Sequence, residues 1–147
     1  MDPLKRLALA ATLVIAGACG GGYSNNNQTP TTPPAPVTES FSGTTTQSGQ
    51  GACGGDSHNV TTREGAISAR LVQTSDPAQA LSIQICANGI DNRNCSINQQ
   101  KIDVGQTLNG TRIGDAVQNV KLLPHSCVFG GDIVPSVTYT VAITYQR

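Results

Sequence analysis

SVTYTVAITY, residues 136–145, places Val137, Tyr139, Val141, Ile143 and Tyr145 on one side and Thr138, Thr140, Ala142 and Thr144 on the other. Successive side chains of an extended chain point to opposite faces, so this period of two describes a strand with one buried and one wet face. The same pattern recurs upstream. In GAISARLVQT (65–74), Ile67, Ala69 and Leu71 alternate with Ser68 and Arg70, and in ALSIQICA (80–87), Leu81, Ile83 and Ile85 alternate with Ser82 and Gln84. Weaker runs lie at 39–46, 57–63, 97–104 and 117–123, and turn residues punctuate the chain at Asp76-Pro77, Asn88-Gly89, Asn109-Gly110 and Gly130-Gly131. No stretch after residue 19 reads as a helix. Seven or eight short strands at this spacing predict an all-β fold, an antiparallel β-sandwich of jelly-roll type.

Composition agrees with a sandwich. The chain has 147 residues, 3% aromatic residues and no Trp, so its core must be built from Val, Ile, Leu and Ala. Ser, Thr, Asn, Gln and Gly are abundant, and these residues compete with the backbone in helices while tolerating exposed strands and turns. Charged residues are 12% and the formal net charge is zero, which leaves no electrostatic case for a nucleic-acid partner.

The N-terminus reads as an address. In MDPLKRLALAATLVIAGAC (1–19), Lys5 and Arg6 precede an apolar run from Leu7 to Ala18, the layout of a secretory signal and too short to span a bilayer comfortably. Ala16-Gly17-Ala18-Cys19 resembles the bacterial lipobox, although lipoboxes usually carry Leu at the place of Ala16. That resemblance implies cleavage after Ala18 (signal peptide 1–18) and diacylation of the Cys19 sulfur, with Cys19 as the new N-terminus. Several acyl chains hold a protein stably where a single chain binds only marginally. Gly20 rather than Asp follows the cysteine, which in Gram-negative lipoproteins implies sorting to the outer membrane. The alternative is an ordinary secretory signal that leaves Cys19 as a free thiol. Cleavage removes Lys5 and Arg6 from nine basic residues and Asp2 from nine acidic ones, so the mature chain carries seven against eight and is nearly neutral.

Residues 19–37 form a tether. GGGYSNNNQTPTTPPAPV (20–37) has almost nothing to bury, and at roughly 3 Å per residue it reaches up to about 50 Å from a lipid surface. The β-sandwich domain then occupies 38–147.

Cys53, Cys86, Cys95 and Cys127 are an even set in an exported chain and are read as disulfides. Four cysteines permit three pairings. The preferred one joins Cys86 with Cys95 across the turn-rich ANGIDNRN and Cys53 with Cys127, tying the start of the domain to its end. A zinc site of these thiolates with His58 or His125 is disfavoured, because no C-x-x-C knuckle is present and an oxidising compartment removes thiolates.

The order of features from 39 to 147 resembles the bacterial pre-peptidase C-terminal (PPC) domains and related modules of secreted proteins. The matching segments are Phe41-Ser42-Gly43-Thr44, Cys53 with His58-Asn59-Val60, the Gly-led strand Gly65 to Leu71, the strand Leu81 to Ile85, Cys127-Val128, and Tyr139-Thr140-Val141. The chain departs from that pattern in the five-position step from Cys53 to His58, where near adjacency is expected, and in Leu122 to Ser126. The resemblance implies a non-catalytic sandwich used in adhesion, substrate presentation or secretion, and it transfers no site residues.

Possible chemistry is thin. Gly55-Asp56-Ser57 spells the start of a GDS-type esterase motif with Ser57 as nucleophile and His125 as a candidate base, but no Asp-x-x-His segment follows and a triad is defined by geometry. His58 and His125 are read as ordinary surface or half-buried residues, partners for loop carbonyls. Asp91-Asn92 and Asp132 offer too few oxygens for Ca²⁺. Sugar binding usually employs a stacking platform of exposed Trp and Tyr, and of these the domain has only Tyr139 and Tyr145, both on the face predicted to be buried. The expectation is therefore a lipid-anchored envelope protein with a non-catalytic binding or structural module and no cofactor. Its partners would be the membrane and an envelope protein or polysaccharide. A carbohydrate-binding accessory role is the first alternative and a small hydrolase the second.

Overall fold

The computed structural model describes residues 32–87, 94–112 and 114–147. Cys19, the leader, most of the tether, the Asn88-Gly89 turn and Asp91-Asn92 lie outside the described residues. The elements are β1 (Val37–Gly49), β2 (Ala52–Gly55), β3 (Ser57–Thr62), β4 (Gly65–Thr74), β5 (Leu81–Ala87), β6 (Cys95–Ile102), β7 (Thr107–Arg112), β8 (Ala116–Pro124), a five-residue helix α1 (His125–Phe129) and β9 (Val137–Tyr145). Two antiparallel sheets result, ordered β2-β1-β9-β4-β7 and β3-β8-β5-β6.

The connectivity is that of a rolled ribbon. Setting β2 aside, the pairs β1·β9, β3·β8, β4·β7 and β5·β6 are nested from the ends of the chain inward, and the pairs β4·β9 and β5·β8 complete the two sheets. This is the winding of a jelly roll, as expected. It brings the chain's first strand against its last over nine residue pairs, from Val37↔Tyr145 to Thr45↔Val137.

The core forms where the alternating faces meet. Val137, Tyr139, Val141, Ile143 and Tyr145 of β9 are all buried, as are Ile67, Ala69 and Leu71 of β4 and Leu81, Ile83 and Ile85 of β5. Val60, Ile97, Ile102, Val120 and Leu122 fill the gaps between them. Each fully buried aliphatic side chain contributes about 1.5–3 kcal/mol, so a core nearly without aromatics still accumulates substantial stabilisation from many small units.

Both preferred disulfides are present. Cys53–Cys127 and Cys86–Cys95 have Cα separations of 5.9 and 3.9 Å, and the second pair lies directly opposite across β5·β6. The longer link spans 74 residues and holds α1 against the edge strand β2.

Several sequence expectations are corrected. The described residues form nine strands where seven or eight are expected, the additional ones being β2 and β7. Asn109-Gly110 is not a turn: Asn109 pairs with Ser68 and Gly110 with Ile67 inside the β4·β7 ladder. Gly110 also lets β7 approach the opposite sheet, since a Cβ there would collide with the Ser96 carbonyl oxygen. A short helix follows β8 where none was expected. Ser82, read as solvent-facing, is buried, because α1 folds over the outer face of β5 and His125 Nδ1 lies 2.8 Å from Ser82 Oγ.

Candidate functional site

An open groove of about 590 Å³ lies on the five-stranded sheet. Three stretches of chain far apart in sequence build its floor: Ser42 to Thr44 of β1, Thr138 to Thr140 of β9, and Gln73 to Ser75 at the end of β4. Asp56, between β2 and β3, closes one side. The β4·β9 register slips between Leu71 and Gln73, and such a bulge bends a strand and re-aims its side chains. Beyond it, the Ser75 amide donates to the Thr138 carbonyl at 2.9 Å and the Thr138 amide to Ser75 Oγ at 3.1 Å, which fixes the groove wall.

Asp56 is held at three atoms. Its amide donates to the Thr44 carbonyl (3.2 Å), one carboxylate oxygen accepts the Thr44 amide (2.8 Å), and its carbonyl accepts the Tyr139 hydroxyl (3.1 Å). The second carboxylate oxygen has no partner among the described residues. Tyr139 is 2% exposed, and its hydroxyl reaches Asp56 by passing under Gly43. A Cβ at position 43 would lie 2.5 Å from that hydroxyl oxygen. Burial, and secondarily the negative charge of Asp56, push the Tyr139 phenol up to about 12, so it remains a neutral donor.

The rest of the lining is hydroxyl and amide. Ser42 Oγ and Thr140 Oγ1 are 2.9 Å apart across β1·β9, each able to donate or accept. Thr44, Thr74, Ser75 and Thr138 add further hydroxyls, Gln73 adds an amide, and no cationic side chain among the described residues lines the groove. Such a surface exchanges hydrogen bonds with an uncharged polar ligand and, through Asp56, favours one that offers donors.

Among the described residues nominated from sequence, Asp56 and Tyr139 line the groove, and the others lie elsewhere. Ser57 is exposed at the start of β3, paired with Lys121, and His125 uses its Nδ1 on Ser82 instead. His125 also packs on Phe129, with ring centroids 4.6 Å apart, and its amide donates to the Ala80 carbonyl at 3.0 Å. His58 does not meet a loop carbonyl through its side chain. It stacks on Phe41 at 4.9 Å, and its Nε2 is buried without a partner among the described residues. Asp132 lies exposed in the loop after Gly131. All four domain cysteines are consumed in disulfides. The groove itself escaped sequence reading, because its signal was only the wet half of the β1 and β9 alternation.

No family model matches the chain, and no curated protein matches it. Among solved structures it is similar to the crystal structure of Yersinia pseudotuberculosis-derived mitogen (YPM), at 12% identity and a TM-score of 0.44, over 76% of this chain and 88% of that one.

Proposed function

We propose that the protein is a lipid-anchored envelope protein, held by acyl chains on Cys19, whose sandwich is a non-catalytic binding module related to the PPC-like domains. The observation that carries export is the pair of disulfides, since cross-links of this kind form and persist outside the reducing cytosol. The leader ending in Ala16-Gly17-Ala18-Cys19 and the Gly/Asn/Pro tether supply the anchor and the reach. Recognition rather than catalysis fits a groove of hydroxyls around one fixed carboxylate.

Metabolic labelling of expressing cells with radioactive palmitate tests the anchor. Label is expected on the wild-type protein and absent from Cys19→Ala; an unlabelled wild type, or a variant that keeps its label, refutes it. A polysaccharide partner is the second reading, favoured by the hydroxyl-rich lining of the groove.

A further inference from the structure

We propose that the Asp56 groove is a binding site for a neutral glycan chain. The inference rests on the binding-module reading above and gives that module a site and a ligand class. Asp56 presents an unpaired carboxylate oxygen at a position fixed by Thr44 and Tyr139. A fixed carboxylate is a strong acceptor for sugar hydroxyls, and hydrogen bonds to charged groups exceed those between neutral ones. The Ser42–Thr140 hydroxyl pair can reverse donor and acceptor roles, which suits a ligand whose own hydroxyls do both.

Charge and polarity narrow the class. Among the described residues the one charged side chain lining the groove is acidic, so an anionic glycan, a nucleic acid or a phosphate is repelled. The polar lining gives a lipid tail nothing to displace water for. About 590 Å³ falls in the usual range for small-molecule sites, and the groove is open, so a chain can pass along it.

The affinity of one domain is low. Tyr139 and Tyr145 are each 2% exposed and offer no stacking surface, so hydrogen bonds carry the binding and must compete with water. Anchored copies arrayed on a membrane and facing a polymeric ligand convert weak single contacts into stable attachment. This accounts for a long tether on a weak binder.

The test is amide NMR on the full chain, ¹⁵N-labelled and held in detergent micelles. It is titrated separately with mannohexaose, cellohexaose and maltohexaose, and with hexagalacturonate as the acidic control. At least one neutral hexasaccharide is expected to give saturable shifts at the amides of Thr44, Asp56, Ser75 and Thr140, with hexagalacturonate weaker. Asp56→Asn retains an oxygen for the Thr44 amide but loses the charge, and is expected to weaken binding about tenfold. Thr61→Val, exposed on the other sheet, leaves binding unchanged. Absence of shifts with all three neutral chains at millimolar concentration, shifts centred away from the groove, or an Asp56→Asn affinity equal to wild type overturns the site. Palmitate labelling at Cys19 reads the anchor independently of these outcomes, and saturable shifts on another face would keep the binding module while eliminating this groove.

Discussion

Gly43→Ala examines the link between the core and the groove. Glycine in a strand normally weakens it, and replacement by alanine at a compatible position stabilises by about 0.4–1 kcal/mol through the unfolded chain. Position 43 should reverse that sign. The new methyl would lie 2.5 Å from the Tyr139 hydroxyl oxygen, 2.8 Å from its Cζ and 3.0 Å from Asp56 Cβ. Tyr139 is 2% exposed and cannot swing into solvent, so the ring must leave its rotamer, at about 1 kcal/mol, or force its neighbours apart, at about 1–3 kcal/mol. Displacing the hydroxyl from the Asp56 carbonyl strands a buried polar group, worth about 1–3 kcal/mol. These routes overlap, and the net expectation is a loss of about 2–4 kcal/mol. For a domain of this size that corresponds to a fall in Tm of about 8–16 °C. The assay is reversible thermal and urea unfolding with disulfides intact. Gly49→Ala is the control, because a Cβ there meets nothing nearer than Ala52 Cβ at 3.8 Å, and it should be neutral or slightly stabilising. In a Tyr139→Phe background the cost of Gly43→Ala should shrink by about 1 kcal/mol, since the closest clashing atom is gone while Cζ remains. A Gly43→Ala protein within about 0.5 kcal/mol of wild type, or a cost unchanged by Tyr139→Phe, would refute the reasoning.

Three further outcomes follow from particular contacts. Replacing Cys53 and Cys127 together by Ala should cost about 4 kcal/mol and replacing Cys86 and Cys95 about 2.5 kcal/mol, because the closed loops span 74 and 9 residues; urea midpoints compared at equal m-values rank them. The Tyr139 phenol moves from an ordinary value of 10.0 to about 12, so folding favours its neutral form. Its contribution is intact below pH 10 and is lost as the pH rises towards about 12, by roughly 2.7 kcal/mol in full. The stability drop between about pH 9 and about pH 11.5 should therefore be smaller in Tyr139→Phe than in wild type, with Tyr145 present in both, and equal drops would contradict the assignment. Gln118 is fully buried, its Nε2 has no partner among the described residues, and its Oε1 receives only a 3.4 Å bond from Ser96. Gln118→Met keeps the volume and removes the stranded donor, so it should raise stability by about 1 kcal/mol, and a variant clearly less stable than wild type by urea unfolding would show that the amide is satisfied in solution.

The amino-acid sequence determined what depends on neighbours along the chain. The period-two pattern of β9 named five of its buried residues correctly, and the same signal located β4 and β5, because the face a strand residue takes is a local consequence of the pleat. The even cysteine count pointed to cross-links, and the preferred pairing is the one formed. Other features were decided only when distant segments met. ACGG of β2 and TLNGTR of β7 have no strong apolar alternation, and they are strands because β1 and β4 supply ladder partners, Gly54 for Thr46 and Asn109 for Ser68. Ser82 is buried because α1 is folded over β5, with Cys127 bound to Cys53 and Ser126 bonded to Gln47. The groove is the extreme case: Asp56 and Tyr139 stand 83 residues apart, and their contact exists because the ribbon rolls its last strand in beside its first. A period in sequence reports which way a side chain faces, whereas which strand lies beside it is set by long-range hydrogen bonding and core packing, and only the folded chain resolves that competition.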